Sequence, residues 1–124
     1  MTDRTPSQKG RHSRGKGRRG EQRVATLYRE VYGDRVHRGP QSRTGDDGAD
    51  VEGTDWWPEV KTGKVVSVRA ALRQALEATD GRPVVVHVKI DREDAYVAML
   101  ESDWMAIVRR LAVADAMIEA EIPW

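Results

Sequence analysis

Residues 83–88 read Pro-Val-Val-Val-His-Val, a nearly continuous apolar run that is followed by a predicted turn at residues 91–94. Such a run is typical of a β-strand that is buried on both faces and flanked by helices. His87, inside the run, is expected to be a hydrogen-bonded core histidine rather than a metal ligand. Working outward from this strand, the sequence predicts a mixed α/β domain with a central sheet.

Three helices are predicted around this strand from apolar residues at helical spacing. The first covers residues 21–32 and ends at Gly33, the second covers residues 67–79, and the third covers residues 102–119. The apolar stripe of the first helix consists of Val24, Leu27, Tyr28 and Val31. The third stripe, which is expected to pack on the sheet or form a homodimer contact, consists of Trp104, Ile107, Val108, Leu111, Ala114 and Ile118.

Short extended segments are predicted at residues 35–38 and 49–52, and further strands at residues 56–60 and 95–100. Pro58 indicates an edge position or a bulge, because proline cannot donate a hydrogen bond to a strand ladder. The predicted order is therefore helix, three short strands, helix, two strands, helix.

Length and composition limit the possible classes of protein. The chain has 124 residues, enough for one domain of ordinary size, and contains no cysteine, which excludes disulfide scaffolds and thiolate zinc sites. No apolar run approaches the roughly 20 residues of a membrane-spanning helix, and the N-terminus lacks the apolar segment of a secretory signal. We expect a cytoplasmic protein of a bacterial, archaeal or phage-infected cell, with no membrane partner.

Charge is distributed unevenly along the chain. Residues 1–20 carry seven Lys or Arg and one Asp, a net charge of +6, whereas residues 21–124 carry 14 Lys or Arg and 19 Asp or Glu, a net charge of −5. We expect residues 1–20 to be a basic arm, disordered when free, and residues 21–124 to form the single domain. The arm suits contact with phosphates, and a solubilising tail is the alternative. The candidate nucleic-acid contacts are Arg11, Arg14, Lys16, Arg18 and Arg19.

Two carboxylates and a lysine are candidates for a catalytic site. The period of two in a strand puts Glu59 and Lys61 on one face, and Asp50 comes within reach of Glu59 if their strands form a hairpin. Two oxygen ligands from adjacent strands suit Mg²⁺, and Lys61 suits stabilisation of developing negative charge. An exposed cross-strand charge pair is the alternative for Glu59 and Lys61.

Four elements occur in a suggestive order: Gly17-Arg18-Arg19-Gly20-Glu21, Gly48-Ala49-Asp50, Glu59-Val60-Lys61 and Gln74. This order resembles the PD-(D/E)XK nuclease superfamily, in particular the small archaeal-type Holliday junction resolvases and the phage and VRR-NUC-like endonucleases. The resemblance implies a restriction-endonuclease-like αβββαβ core, with a mixed central sheet flanked by helices and an added C-terminal helix. It also implies a Mg²⁺-dependent endonuclease, with Mn²⁺ as a substitute, that acts as a homodimer on branched or Holliday-junction DNA.

The resemblance also implies roles for single residues. Asp50, Glu59 and the Val60 carbonyl would bind the metal, and Lys61 would complement charge in the transition state. Glu21 would act through water or a second metal; stabilisation of a helix N-terminus is its alternative role. Gln74 would support the site from the second helix, or it is an ordinary polar helix residue.

The chain departs from the superfamily pattern in two respects. The usual Pro-Asp pair is absent, and only eight residues separate Asp50 from Glu59. Other acids also compete for the aspartate role, namely Asp46, Asp47, Glu52 and Asp55. Two other classes stay open: a non-catalytic nucleic-acid-binding protein with a nuclease-like fold, and an interaction domain whose arm is incidental.

Overall fold

The computed structural model describes the backbone of residues 6–40 and 48–121, and the side chains of residues 15–40 and 48–121. The helices and strands follow one another in the predicted order, with a short 3₁₀ turn at Gly33–Arg35 after the first helix. Within these ranges no helix is both long and apolar enough to cross a bilayer. The elements are α1 (Pro6–Tyr32), β1 (His37–Arg38), β2 (Val51–Glu52), β3 (Trp57–Gly63), α2 (Val68–Ala78), β4 (Val84–Ile90), β5 (Tyr96–Ala98) and α3 (Glu101–Glu121).

The main sheet has the order β3-β4-β5 and is mixed, as predicted. Strand β4 pairs in parallel with β3, where Glu59 lies opposite Val86, and antiparallel with β5, where Val86 lies opposite Ala98. The valine run is thus the central strand of the sheet. Strands β1 and β2 form a separate antiparallel pair beside β3 instead of extending the same ladder.

Helices α1 and α2 cover opposite faces of the sheet. On the α2 face, the apolar side chains of Trp57, Val84 and Val86 pack with Ala71 and Ala75. On the α1 face, Val24 and Ala25 pack with residues from the strands and from the segment before β1, namely Val36, Val51 and Val60. The fold is therefore an α/β domain in which β3 and β4 lie between two helical layers.

The predicted stripe of the first helix is wrong in two positions. Leu27 and Val31 are 45% and 78% exposed, whereas Ala25 is fully buried and Tyr28 and Tyr32 pack against the same cluster. The Tyr28 hydroxyl lies 2.9 Å from Nε2 of His87, which gives the core histidine the hydrogen bond expected of it. The buried face is thus rotated toward Ala25, which packs in the cluster with Val36, Val51 and Val60.

Helix α1 also begins much earlier than predicted. The expectation of a disordered arm at residues 1–20 is not met from Pro6 onward, because the helix is continuous through Gly20 to Tyr32. Two contacts hold its middle part: Nζ of Lys16 lies 2.5 Å from Oδ1 of Asp91, and Gly20 is buried against Thr62. These contacts join residues far apart in sequence, so the composition of the arm did not reveal them.

Helix α3 is present as predicted but does not pack on the sheet. None of its 21 residues is buried, and Trp104, Leu111 and Ile118 are 51%, 56% and 57% exposed. Packing on the sheet is therefore wrong for this stripe, and its apolar face is open to solvent in the single chain.

Candidate active site

Asp50 joins the end of the β1–β2 pair to the edge of β3. Its backbone N–H donates to the carbonyl of Pro58 at 3.1 Å, and its Oδ2 atom accepts from the backbone N–H of Val60 at 2.8 Å. A side-chain oxygen therefore takes the place of the backbone acceptor that a regular hairpin would supply. Pro58 lies at this edge as predicted, where its missing N–H leaves no donor unpaired.

Glu59 and Lys61 lie next to each other on one face of β3, as the strand period predicts. Oε1 of Glu59 is 3.4 Å from Nζ of Lys61, and the side chain of Glu59 is 16% exposed against 39% for Lys61. An exposed charge pair is therefore not a full description, because the carboxylate is largely withdrawn from water. Its lysine partner reaches further toward solvent.

The electrostatics of the two acids are coupled. Burial raises the pKa of Glu59 to about 7; the charges of Asp50 and Glu21 add to this rise, and Lys61 opposes it. Burial likewise raises the pKa of Asp50, against the lowering effects of the Val60 N–H, Lys61 and Arg38. A cluster of carboxyl groups with raised pKa values is stabilised by added positive charge.

Glu21 approaches the same cluster from α1. Its Oε2 atom is 3.8 Å from Nε of Arg38 on β1, and the two side chains are 16% and 25% exposed. The charge of Glu21 also contributes to the raised pKa of Glu59, so the third predicted acid lies close enough to act on it. Arg38 was not predicted as a site residue, since only its pairing across α1 and β1 brings it there.

Lys61 also lines a cleft of about 280 Å³ between β3 and the start of α2. Gln74 lines the same cleft from α2, together with Thr62 and Ser67. The structure thus brings Gln74 and Lys61 to one cleft. Gln74 is exposed, as an ordinary polar helix residue would be.

The structure places the other acids that were candidates for the aspartate role in different environments. Both carboxylate oxygens of Glu52 accept from Arg82, at 2.9 and 3.2 Å, and Oε1 also accepts from the Ala49 N–H at 2.7 Å. Glu52 therefore has a structural role, in which Arg82 also stacks over Trp57, 5.0 Å from the ring centre. Asp55 is exposed. Asp46 and Asp47 fall outside the described residues.

The five predicted nucleic-acid contacts are only partly described. Arg18 and Arg19 are exposed on α1, and Lys16 is held by Asp91. Arg11 and Arg14 belong to α1, but their side chains lie outside the described part of the chain. Three further cations near Lys16, which the sequence did not indicate, are Arg23, Lys89 and Arg92.

Two carboxylates, those of Asp50 and Glu59, lie at this edge of β3. Within residues 15–40 and 48–121, no group of three or more histidine or acidic side chains is gathered closely enough to hold a metal ion. Asp50 and Glu59 remain as a pair at one strand edge. The N–H and C=O groups of one strand residue point to the same side, so the Val60 carbonyl faces the edge where its N–H meets Asp50.

Comparison of the chain with protein families, with curated proteins and with solved structures gave no match.

Proposed function

We propose that this protein is a metal-dependent endonuclease that hydrolyses DNA phosphodiester bonds. The observation that carries the proposal is the convergence of Asp50, Glu59 and Lys61 at one edge of β3, with the 3.4 Å ion pair between Glu59 and Lys61 at its centre. Three side chains separated by up to 11 residues in sequence thus meet in a largely buried, charged site. Such a concentration of coupled, shifted titratable groups is typical of a functional site.

The residues present fit Mg²⁺ or Mn²⁺. Asp50 and Glu59, with the Val60 carbonyl, would hold the ion through oxygen atoms, and the remaining ligands would be water and phosphate, which is the arrangement that Mg²⁺ prefers. Bound there, the ion would supply positive charge to the phosphate and lower the pKa of nearby water. Burial, together with the charges of Asp50 and Glu21, raises the pKa of Glu59, and a bound cation would stabilise its charged form.

The other residues of the site have roles that follow from their positions. Lys61 is the more exposed member of its ion pair. Its ammonium group would stabilise the negative charge that develops on the phosphate in the transition state. Glu21, held near Arg38, would hydrogen-bond water on the α1 side of the cluster. Gln74 would orient substrate in the cleft that it shares with Lys61.

The arrangement of β3, α2 and β4 supports a restriction-endonuclease-like core, in which a mixed sheet lies between α1 and α2. This core and the preference for branched or Holliday-junction DNA complete the proposal. A junction enzyme needs two sites related by two-fold symmetry, so the proposal includes a homodimer.

Helix α3 supplies a surface for this homodimer. Its apolar side chains recur at coiled-coil spacing, at the exposed residues Trp104, Leu111 and Ile118 and at the half-buried Ile107. Its charges run acidic, basic, acidic, with Arg109 and Arg110 at the centre, so a parallel pair of helices would place these arginines beside their own copies. An antiparallel pair with its two-fold axis near Ala112 would instead place Arg109 opposite Asp115 of the partner subunit.

The test is cleavage of labelled four-way junction, flap, linear duplex and single-stranded DNA in Mg²⁺ or Mn²⁺. Wild type should cut the junction, and Glu59→Gln and Lys61→Met should each lose at least about 100-fold in rate, as expected for groups that stabilise the transition state. Glu77→Gln, which removes an exposed acid from α2, is the matched control and should cut like wild type. Cutting of every substrate would keep the nuclease and remove the junction preference.

A second function is favoured by the finding that, within the described ranges, no group of three or more histidine or acidic side chains is gathered closely enough to hold a metal ion. The chain would then bind nucleic acid without cleaving it. Equal, background-level cleavage by wild type and Glu59→Gln in both metals, with DNA binding retained, would establish this second function in place of the first.

A further inference from the structure

A second, strongly cationic pocket of about 480 Å³ lies between α1 and the turn that joins β4 to β5. Five cationic side chains and a single carboxylate line it, together with Gly20 and Thr62. This excess of positive charge contrasts with the acidic cluster at Asp50 and Glu59. The cations are Lys16, Arg19, Arg23, Lys89 and Arg92, and the carboxylate is Asp91.

Two of the five cations are already engaged. Nζ of Lys16 pairs with Asp91, and Nζ of Lys89 donates to the carbonyl oxygens of Ile90, at 3.1 Å, and Glu93. These contacts fix the wall of the pocket at the end of β4. The single carboxylate of the pocket is therefore neutralised by Lys16.

The other three cations, all arginines, lack an acidic partner within the described ranges. Arg19 and Arg92 are exposed at the rim and make no ion pair there, and Nη2 of Arg23 is buried without a hydrogen-bond partner. Oγ1 of Thr62, on the opposite wall, is also buried without a partner. Buried polar groups are normally satisfied, so the pocket offers donors that suit an anion.

The backbone at the rim of the pocket is strained at Arg92. Arg92 has φ of 66°, in the left-handed region that residues other than glycine, asparagine and aspartate rarely adopt. Such strain persists where the surrounding structure enforces it and is common at binding sites. Here it places a cationic side chain at the mouth of a cationic pocket.

The pocket adjoins the candidate active site through β3. Thr62 lines both this pocket and the cleft that contains Lys61 and Gln74. Lys61 and Thr62 are neighbours in one strand, so their Cα atoms are about 3.8 Å apart and their side chains point to opposite faces. The cleft and the pocket therefore meet only at Thr62, and a polyanion that contacts both Lys61 and the pocket has to cross the end of β3.

We propose that this pocket binds a backbone phosphate of a nucleic-acid strand that also reaches Lys61 around the end of β3. Arg19, Arg23 and Arg92 contact the phosphate, and Lys16 and Lys89 hold the walls. The assignment of this phosphate to a nucleic-acid strand rests on the proposed function. Free inorganic phosphate offers the same chemistry, and the experiment separates the two sources.

The test measures binding of fluorescent single-stranded and duplex DNA without divalent metal, so that cleavage plays no part. Arg19→Gln and Arg92→Asn should each weaken binding by about 5- to 10-fold at moderate salt. Each should also make the negative slope of log K against log salt concentration less steep by about 1. Asparagine suits the left-handed backbone at position 92, so Arg92→Asn removes the charge and keeps the turn. Arg73→Gln, an exposed arginine of α2, is the control and should change binding less than 2-fold.

The outcomes separate this pocket from the nuclease proposal. Unchanged affinity and salt slope in both Arg19→Gln and Arg92→Asn would overturn the pocket even if wild type cuts DNA. Weakened binding in both would support the pocket even if no cleavage is found. A titration with inorganic phosphate that saturates at lower concentration than DNA phosphate would assign the pocket to the free anion and overturn the strand assignment.

Discussion

Oδ2 of Asp50 accepts a 2.8 Å hydrogen bond from the backbone N–H of Val60, the residue between Glu59 and Lys61. One carboxylate thus fixes the edge of β3 and stands beside the acid of the ion pair. Burial raises the pKa of Asp50 despite this bond, so the charged form is held at a cost to the folded state. The hydrogen bond of Asp50 therefore stabilises the fold, whereas its buried charge destabilises it.

Two substitutions at Asp50 should separate the effect of the hydrogen bond from the effect of the buried charge. Asparagine keeps an acceptor for the Val60 N–H and removes the buried charge, so Asp50→Asn should be as stable as wild type or more so, by up to about 1 kcal/mol at pH 7. Alanine leaves the N–H unpaired, so Asp50→Ala should lose about 1–3 kcal/mol. Both should lose Mn²⁺ binding, measured by calorimetry, and urea unfolding gives the stabilities. Equal destabilisation by the two changes would contradict this explanation.

His87 should make folding sensitive to acid. Burial, helped by the charge of Arg23, lowers the pKa of His87 from 6.5 to about 4 in the folded protein. Between these values the unfolded chain binds a proton that the folded chain does not, so stability is present above about pH 6.5 and is lost as the pH falls toward 4. The loss reaches at most about 3 kcal/mol. His87→Gln should remove this part of the slope of unfolding free energy against pH, and parallel curves for the two proteins would show that His87 does not contribute.

Gly20 should tolerate no side chain unless Thr62 is shortened. A Cβ atom at Gly20 would lie 2.4 Å from Oγ1 of Thr62, so Gly20→Ala should destabilise the fold by about 1–3 kcal/mol. Gly17, in the same helix, has open space within 4 Å of the position that a Cβ atom would take, so Gly17→Ala should stabilise by about 0.5–1 kcal/mol. Thermal unfolding of both, and of Gly20→Ala combined with Thr62→Ala, tests the contact. Failure of the double change to recover stability would place the cause elsewhere.

The exposed face of α3 should determine the oligomeric state. Leu111→Glu puts a charge near the centre of the proposed antiparallel helix pair and should convert a dimer to a monomer in sedimentation equilibrium. Leu27→Glu, which alters an exposed leucine of α1, should leave the mass unchanged. Wild type that sediments as a monomer at a concentration of the order of 10⁻⁴ M would exclude this interface.

The sequence predicts the order of elements and the face shared by Glu59 and Lys61, because both depend on local periodicity. It does not predict the helical start of α1, where Lys16 and Gly20 are held by residues more than 40 positions away. The partners of Arg38 and Arg82 are hidden for the same reason, since a charged side chain gives no sign of which distant acid it meets. In the sequence, Glu52 is as good a candidate for the metal-binding acid as Asp50. Only its pairing with Arg82 in the fold gives it a structural role instead.

The parallel pairing of β3 with β4 through α2 lies within one continuous stretch of the chain. The stretch from Trp57 to Ile90 contains β3, the crossover helix α2, β4 and most of one core cluster. Its apolar side chains can therefore be buried against residues that are close in sequence. Asp50 and Glu21 belong to elements outside this stretch. Detachment of α1 and the β1–β2 pair would therefore dismantle the acidic cluster while the crossover stayed folded, and amide hydrogen exchange should detect this partial opening before global unfolding.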